Sequence, residues 1–393
     1  MAERVCVVTG TRAEYGLFRP LLDALEADPA FDVLLVATGA HLSPAFGMTV
    51  DEILADGRRV DERVEMLLAS DTEVGAAKST GLGVIGFADA FARLAPDCVV
   101  LLGDRFETLS AAVAAHLARI PIAHLHGGEL TEGAIDDAMR HAITKMSMLH
   151  FTSAEPYRRR VVQLGEEPDR VFAVGALGVD NALNVERLSR EELESEIGFE
   201  LGPCSAVVTF HPVTLSTSGE TEFAALLSAL ERTCDLRLVF TRPNADPGNR
   251  GINRMLDSFL DANPDRSVAY ASLGSVRYLS LLAQVDVVVG NSSSGVIEAP
   301  SFGVPTVDVG DRQRGRIAAA SVFRCEADED AILAAVERAL TPAVRAAAKG
   351  VANPYGDGRA AQRITAVLRE RLPSLRDTRK RFHDVAFDLP AEG

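Results

Sequence analysis

The chain contains no tryptophan and 5 tyrosines, and aromatic residues make up 6% of its 393 positions. Surfaces that stack nucleobases need such rings, so this scarcity argues against a nucleic-acid platform. Cysteine is sparse too: Cys6, Cys98, Cys204, Cys234 and Cys325 lie far apart, with no CxxC pair. An odd, scattered set of thiols speaks against a disulfide framework or a zinc knuckle and fits a reducing cytoplasm. No segment approaches the roughly 18 uninterrupted apolar residues of a spanning helix. The opening MAERVCVVTG runs straight into a strand pattern, without the layout of a signal peptide. Basic residues are outnumbered, 40 against 56 acidic, for a net charge of −16. That field repels nucleic acid and anionic membranes, whereas a small anionic ligand can still be held by local arginines and helix N-termini.

What is present is a soluble globular profile, 47% hydrophobic and 24% charged, on a chain long enough for two cores. Short β-branched runs recur, each followed by a helical pattern. The first half has VCVVT (5–9), DVLLVAT (32–38), DCVVLLG (97–103), IPIAHLH (120–126), HFT (150–152) and VFAVG (171–175). The second has SAVVTF (205–210), LRLVFT (236–241), VDVVVG (285–290) and VPTVDVG (304–310). This alternation predicts an α/β protein of two Rossmann-like, doubly wound parallel-sheet domains, 1–178 and 179–393. The polar stretch 178–203 is the expected hinge. The last helix and the charged tail LRERLPSLRDTRKRFHDVAF either end in solvent or return to brace the N-terminal domain. Ligands of such domains bind at the carboxyl ends of the strands, so chemistry is sought just after each strand.

One glycine pattern is misleading. Gly81, Gly83 and Gly86 spell GxGxxG, but no strand precedes them, and the apolar spacing predicts a helix packed closely on the sheet.

The strand ends carry the polar residues. TGTRAEYGL places Arg12 at a helix N-terminus, either as a phosphate contact or as a loop cap. GDRFE supplies Asp104, Arg105 and Glu107; Asp104 reads as a base or as the N-cap of a helix from about Phe106. In HLHGGELTEGAIDDAMRHAITK, His124 and His126 alternate on a strand, pointing the same way, and a helix begins near Ile135. Asp136 and Asp137 then fill its first turn, and Asp136 with Arg140, Asp137 with His141, and His141 with Lys145 share faces. HxH is also a metal pattern, with His211 and Asp104 as further ligands. Arg105, Arg140 and Lys145 crowd the same region, which disfavours a dication, and no metal is assigned.

In the second half, His211 stands at a strand end, and Arg242, Asn244 and Asp246 follow another. GNSSSGVIE predicts a nest of N–H and hydroxyl donors for a diphosphate at Ser292, Ser293, Ser294 and Gly295, with Glu298 one turn on. Arg312, Gln313, Arg314 and Arg316 follow the next strand and either close over a nucleotide or face solvent.

Taken together, TGTRAEYGL, LLGDRFE, HLHGGELTEGAIDDAMRHAITKMS, YRRRVVQLGEEPDRVF, FHPVTLST, NADPG, GNSSSGVIE, VGDRQRGR and the final KRFHDV resemble the hydrolysing UDP-N-acetylglucosamine 2-epimerases of bacterial sialic-acid synthesis. The resemblance spans nearly the whole chain in order. It implies the GT-B architecture with an interdomain active-site cleft, no cofactor, a nucleotide-sugar substrate and a homo-oligomer, dimer or tetramer. It implies conversion of UDP-N-acetylglucosamine to UDP and N-acetylmannosamine through a 2-acetamidoglucal. Asp104, Glu129 and Asp136 resemble the acid–base carboxylates, and His211 the residue that assists the leaving diphosphate. Arg12, Ser293, Ser294 and Glu298 resemble UDP-binding positions, and Arg140 and His141 contacts to the sugar. Other branches carry glutamate where this chain has His126, leaving that acid role to Glu129 or to His126 itself. Similar family members act instead on a UDP- or GDP-linked 2,4-diacetamido-2,4,6-trideoxyhexose of legionaminic-acid pathways. A glycosyltransferase, a metallohydrolase and a nucleotide-sugar-binding regulator are the alternatives of other classes.

Overall fold

A computed structural model describes residues 2–70, 72–130, 135–211, 219–233, 235–242, 250–375 and 378–386. The chain divides into two compact units, Met1–Asn181 with Gly358–Gly393, and Ala182–Asp357. The first is built on β1 (Glu3–Thr9), β2 (Phe31–Thr38), β3 (Glu62–Val64), β4 (Cys98–Leu102), β5 (Ile122–Leu125), β6 (Leu149–Thr152) and β7 (Val171–Ala173). Their order is β3-β2-β1-β4-β5-β6-β7, with every neighbouring pair parallel. The second contains β8 (Ser205–Thr209), β9 (Arg237–Thr241), β10 (Ser267–Tyr270), β11 (Val287–Gly290), β12 (Thr306–Val309) and β13 (Val322–Cys325). It is likewise parallel, in the order β10-β9-β8-β11-β12-β13.

The unbroken apolar runs follow from helices covering both faces of each sheet. In the first, Val5, Val7 and Val100 pack under Phe18, Leu21 and Leu25 on one face, while Cys6, Val8 and Val99 meet Phe87, Phe91 and Ala111 on the other. Ile364 and Leu368, from the helix Ala360–Arg371, join the first of these layers, so the end of the chain completes the core of its beginning. In the second sheet, Val208, Phe240 and Val289 face Phe223 and Leu256, and Val207, Val239 and Val288 face Leu193 and Leu282. No described helix is long and apolar enough to cross a membrane.

All ten strands expected from the sequence are present, and three more appear: β3, β10 and β13. Each of the three is the outermost strand of its sheet. An edge strand is covered on fewer sides, so Glu62-Arg63-Val64 or Val322-Phe-Arg-Cys325 needs no apolar run. The glycines of GxGxxG lie inside the helix Glu73–Leu94. A Cβ on Gly83 would stand 2.8 Å from Ser110 and Met66, and one on Gly86 2.7 Å from Val64. They are a packing stripe.

Both sheets reverse their winding beside the central strand, between β1 and β4 and between β8 and β11. Such switch points are where open α/β sheets leave a crevice. The segments leaving them are Gly10–Arg12 and Gly103–Arg105 in one unit, and His211 and Asn291–Ser294 in the other.

Candidate functional site

In the first unit the loops after β4 and β5 converge on Arg140, which is 4% exposed. Its guanidinium donates to the Glu129 carbonyl at 2.6 Å, to Asp137 Oδ1 at 3.2 Å and to Asp104 Oδ2. The capping role for Asp104 is therefore overturned: the helix Phe106–Leu117 has Arg105 at its N-cap, without a side-chain bond, and the Asp104 carboxylate turns to Arg140. Burial raises the Asp104 pKa; Arg140 opposes that rise, and Asp136 and Glu129 add to it. Asp104 thus pairs with one buried cation and feels the charges of two further carboxylates. Asp136 opens the helix Asp136–Met146, with Ile135 at its N-cap.

Glu129 is buried, and its Oε1 accepts from Ser153 Oγ at 2.7 Å and lies 3.1 Å from His126 Nδ1. The expected strand alternation of His124 and His126 does not hold. β5 ends at Leu125, and His126 has φ 64, a left-handed conformation that breaks the pleat. This turn brings the imidazole to Glu129. His124 stays in the strand, fully buried, with Nε2 2.7 Å from the Gly103 carbonyl and Nδ1 3.2 Å from Thr144 Oγ1. Burial drops its pKa to about 3, so the neutral ring donates to Gly103 and accepts from Thr144. Both ring nitrogens are engaged by protein groups, which leaves none for a metal. Among the described residues no group of three His, Cys, Asp or Glu could hold a metal ion. His141 Nε2 lies 3.5 Å from Asp137 Oδ2, whereas Lys145 pairs with Glu166.

At the β1 end, Arg12 is the first residue of the helix Arg12–Glu26 and is exposed, 3.9 Å from Glu52. Arg105 is committed within the protein, to Glu107 at 2.8 and 3.1 Å and to Glu14 at 3.8 Å. Glu14 was not anticipated from the sequence: burial pushes its carboxyl up to about 7.

The second unit has its own cluster, organised by Asn291. Asn291 Oδ1 accepts the His211 N–H at 2.8 Å, and its Nδ2 donates to the His211 carbonyl at 2.8 Å. Its carbonyl accepts from Arg312 at 2.8 Å and Gln313 at 2.9 Å. His211 is lowered to about 4 by burial and by Arg312, so its ring is neutral. Gly290 precedes Asn291 at φ 130, where a side chain would collide with the Thr209 carbonyl, so only glycine lets the two strand ends approach. The expected helix after the serines is short, Ser293–Ile297, with Ser292 as N-cap accepting from the Ser294 N–H and Glu298 at its C-cap. Gly295 packs against Thr306. The Tyr278 hydroxyl is enclosed by Ser294, Thr209 and Ser292, and desolvation pushes it up to about 12.

The other expected site residues among those described have partners of their own, and Arg316 stands near enough to Arg312 for the two charges to oppose each other. Arg242 pairs with Asp257 at 2.7 Å. The Arg316 carbonyl accepts from Arg324 at 2.6 Å, and Arg314 pairs with Asp311 at 3.0 Å near the surface. Asn244 and Asp246 lie outside the described residues. Of the residues the sequence reading missed, Asn291 stood inside a quoted motif, as did Glu166. Glu14 stood inside TGTRAEYGL as well, whereas Tyr278 lay outside every quoted motif, and its role depends on partners distant in the chain.

Residues 23–369 match the family model described as UDP-N-acetylglucosamine 2-epimerase. A Campylobacter jejuni protein named GDP/UDP-N,N'-diacetylbacillosamine 2-epimerase (hydrolyzing) is 41% identical over 327 residues, covering 83% of this chain and 85% of its own. A Legionella pneumophila protein named UDP-N,N'-diacetylbacillosamine 2-epimerase (hydrolyzing) is 35% identical, covering 94% of this chain and 96% of its own. The crystal structure of the Neisseria meningitidis UDP-GlcNAc 2-epimerase bound to UDP-GlcNAc superposes with a TM-score of 0.75 at 18% identity, covering 94% of this chain and 100% of that one. That last likeness is one of fold, the GT-B class.

Proposed function

Because the chain belongs to the UDP-N-acetylglucosamine 2-epimerase family, we propose that it is a hydrolysing 2-epimerase of a nucleotide-linked 2-acetamido sugar. In this reading the substrate is a UDP- or GDP-linked 2,4-diacetamido-2,4,6-trideoxyhexose. The Campylobacter and Legionella relatives, at 41% and 35% identity, are both named for N,N'-diacetylbacillosamine, a sugar of that type. UDP-N-acetylglucosamine is the second reading, favoured by the family description itself.

The observation that carries the proposal is the Asp104 carboxylate held on buried Arg140, which also takes the Glu129 carbonyl, within the field of the Asp136 and Glu129 carboxylates. One carboxylate removes the proton at sugar carbon 2, the C–H electrons form the carbon 1–carbon 2 double bond, and the carbon 1–oxygen bond breaks to release the nucleoside diphosphate. In the second half a carboxylic acid delivers a proton to the other face of carbon 2, and water adds its oxygen at carbon 1 and surrenders a proton to a carboxylate. The product is the free 2-epimer. Both halves need a carboxyl that takes up and gives back a proton, and burial raises Asp104 toward that task. On the second unit, neutral His211, the adjacent Arg312 and the Ser292–Ser294 donors suit a leaving diphosphate.

The test is turnover in heavy water followed by NMR, with the UDP- and GDP-linked diacetamido sugars and with UDP-N-acetylglucosamine. The free 2-epimer should carry solvent deuterium at carbon 2, appear one-to-one with nucleoside diphosphate, and form with the highest kcat/KM from a diacetamido substrate. Product without deuterium sinks the elimination; a higher kcat/KM for UDP-N-acetylglucosamine reverses the substrate choice.

A further inference from the structure

Residues 378–386 belong to the first unit and lie beyond the stretch 23–369 that matches the family model. They make specific polar contacts with residues more than two hundred positions earlier. Lys380 Nζ donates to the carbonyls of Lys145 at 2.9 Å and Ser147 at 2.7 Å. These carbonyls lie at the C-terminal end of the helix Asp136–Met146, where orphan acceptors favour a cation. The same ammonium stands 2.5 Å from Glu166 Oε2, a carboxylate with no exposed side-chain surface. Glu166 also takes Lys145 at 2.6 Å and His150 Nε2 at 2.9 Å. The Phe382 ring lies flush on Gly165, filling the space a Cβ would need, and sits 5.0 Å from Lys145 Nζ. The His383 N–H donates to the Gly165 carbonyl at 2.9 Å. Lys380, Phe382 and His383 thus all bear on one corner, formed by the end of that helix and the Gly165–Glu166 turn.

We propose that Lys380 is a positioning residue for the acid–base site: it caps the helix Asp136–Met146, neutralises Glu166, and so holds the helix that presents Asp136 in its first turn and Arg140 in its second. The inference rests on the epimerase reading above. A helix of this length spans about 16 Å, and it moves as a rod. Loosening its last turn shifts the earlier ones, from which Asp136 projects and Arg140 bridges Asp104 and the Glu129 backbone. Proton transfer to and from carbon is sensitive to displacements well under 1 Å, so the loss falls on the chemical step more than on binding. Lysine is suited to the place because one ammonium meets two carbonyls and a carboxylate at once. Arginine can repeat the charge and the multiple donors with altered geometry.

The experiment compares wild type, Lys380→Met and Lys380→Arg in the full chain by steady-state kinetics and by amide hydrogen exchange. Lys380→Met should lower kcat at least about tenfold with KM within about threefold of wild type, and Lys380→Arg should recover most of the loss. Exchange in Lys380→Met should quicken at residues 143–147 and stay unchanged in Ala182–Asp357. Normal kcat in a folded Lys380→Met overturns the proposal, whether or not exchange quickens, since a brace without catalytic consequence is not a positioning residue. A rise in KM alone also overturns it. Should Lys380→Met fail to fold, Phe382→Ala, which keeps every charge, decides on the same readouts. Wild-type protein that turns over no nucleotide sugar brings down the epimerase reading and this role with it; active wild type with a normal variant brings down this role alone.

Discussion

Glu14 shows what a single buried carboxyl does to the pH dependence of the molecule. Its Oε2 accepts the Gly10 N–H at 2.7 Å, and Arg105 approaches its Oε1 at 3.8 Å. Burial outweighs both and raises the carboxyl from an ordinary 4.5 to about 7. A raised acid binds its proton more tightly in the folded than in the unfolded chain. Stability is therefore greatest at low pH as far as this group is concerned, declines as pH rises from 4.5 through 7, and stays lower above that. Glu14→Gln keeps an acceptor for Gly10 and removes the titration. Urea melts at about pH 5 and pH 8 should show wild type losing up to about 3 kcal/mol relative to the variant across that window. Parallel stabilities at the two pH values would refute the shift. At this scale the sequence exposed residues whose position after a strand announced them, such as Asp104 and His211. It could not expose Glu14, Glu166 or Tyr278, because an ionisable group acquires its character from burial by segments far away in the chain.

The elements were legible where burial imposes a pattern and illegible where it does not. Interior strands such as Cys98–Leu102 and Ser205–Thr209 are buried at every position, and their apolar runs declared them. The edge strand Glu62–Val64 carries two charged residues in three. Its register against β2 comes from the fold around it. The helix Glu73–Leu94 offers a sharper test of pattern against packing. A Cβ added at Gly81 would meet nothing within 4 Å, whereas one at Gly83 would meet Ser110 and Met66 at 2.8 Å. Gly81→Ala should therefore stabilise the first unit by about 0.5–1 kcal/mol through helix propensity alone. Gly83→Leu should destabilise it by about 2 kcal/mol or more, because overpacking against the helix Phe106–Leu117 exceeds any propensity gain. Urea midpoints decide the matter; a phosphate-binding role for these glycines would instead predict no stability difference between the two sites. The motif reading of the candidate site shared the same strengths and limits. It located the turn after β5, yet a period-two pattern could not foresee that His126 leaves the strand in a left-handed conformation to meet Glu129.

For the molecule as a whole, the chain leaves its first unit after Asn181, builds the second, and returns at Gly358. The point of return is secured by one residue. Asp180, 1% exposed, accepts the Ala360 N–H at 2.9 Å and the Ala361 N–H at 2.7 Å. It thereby supplies from the departing segment the cap that Arg359, at the N-cap of the returning helix Ala360–Arg371, does not provide. Farther along, Arg363 donates to the Val174 carbonyl at 2.9 Å and Arg369 to Asp28 at 2.8 Å, so the helix is held to the first unit along its length. Its amphipathic pattern was readable in the sequence, but a pattern does not name the surface it will cover. Asp180→Ala strands two buried N–H groups and removes a negative charge from a helix N-terminus, for a cost of about 2–3 kcal/mol. Asp180→Asn keeps one acceptor oxygen and should lose clearly less. Limited proteolysis should cut Asp180→Ala first within 358–375, and melting should show the loss in the first unit while Ala182–Asp357 keeps its own transition. Cleavage that begins in the second unit, or equal stability of the alanine and asparagine variants, would mean that the returning helix is held by its apolar face and that Asp180 contributes only filling.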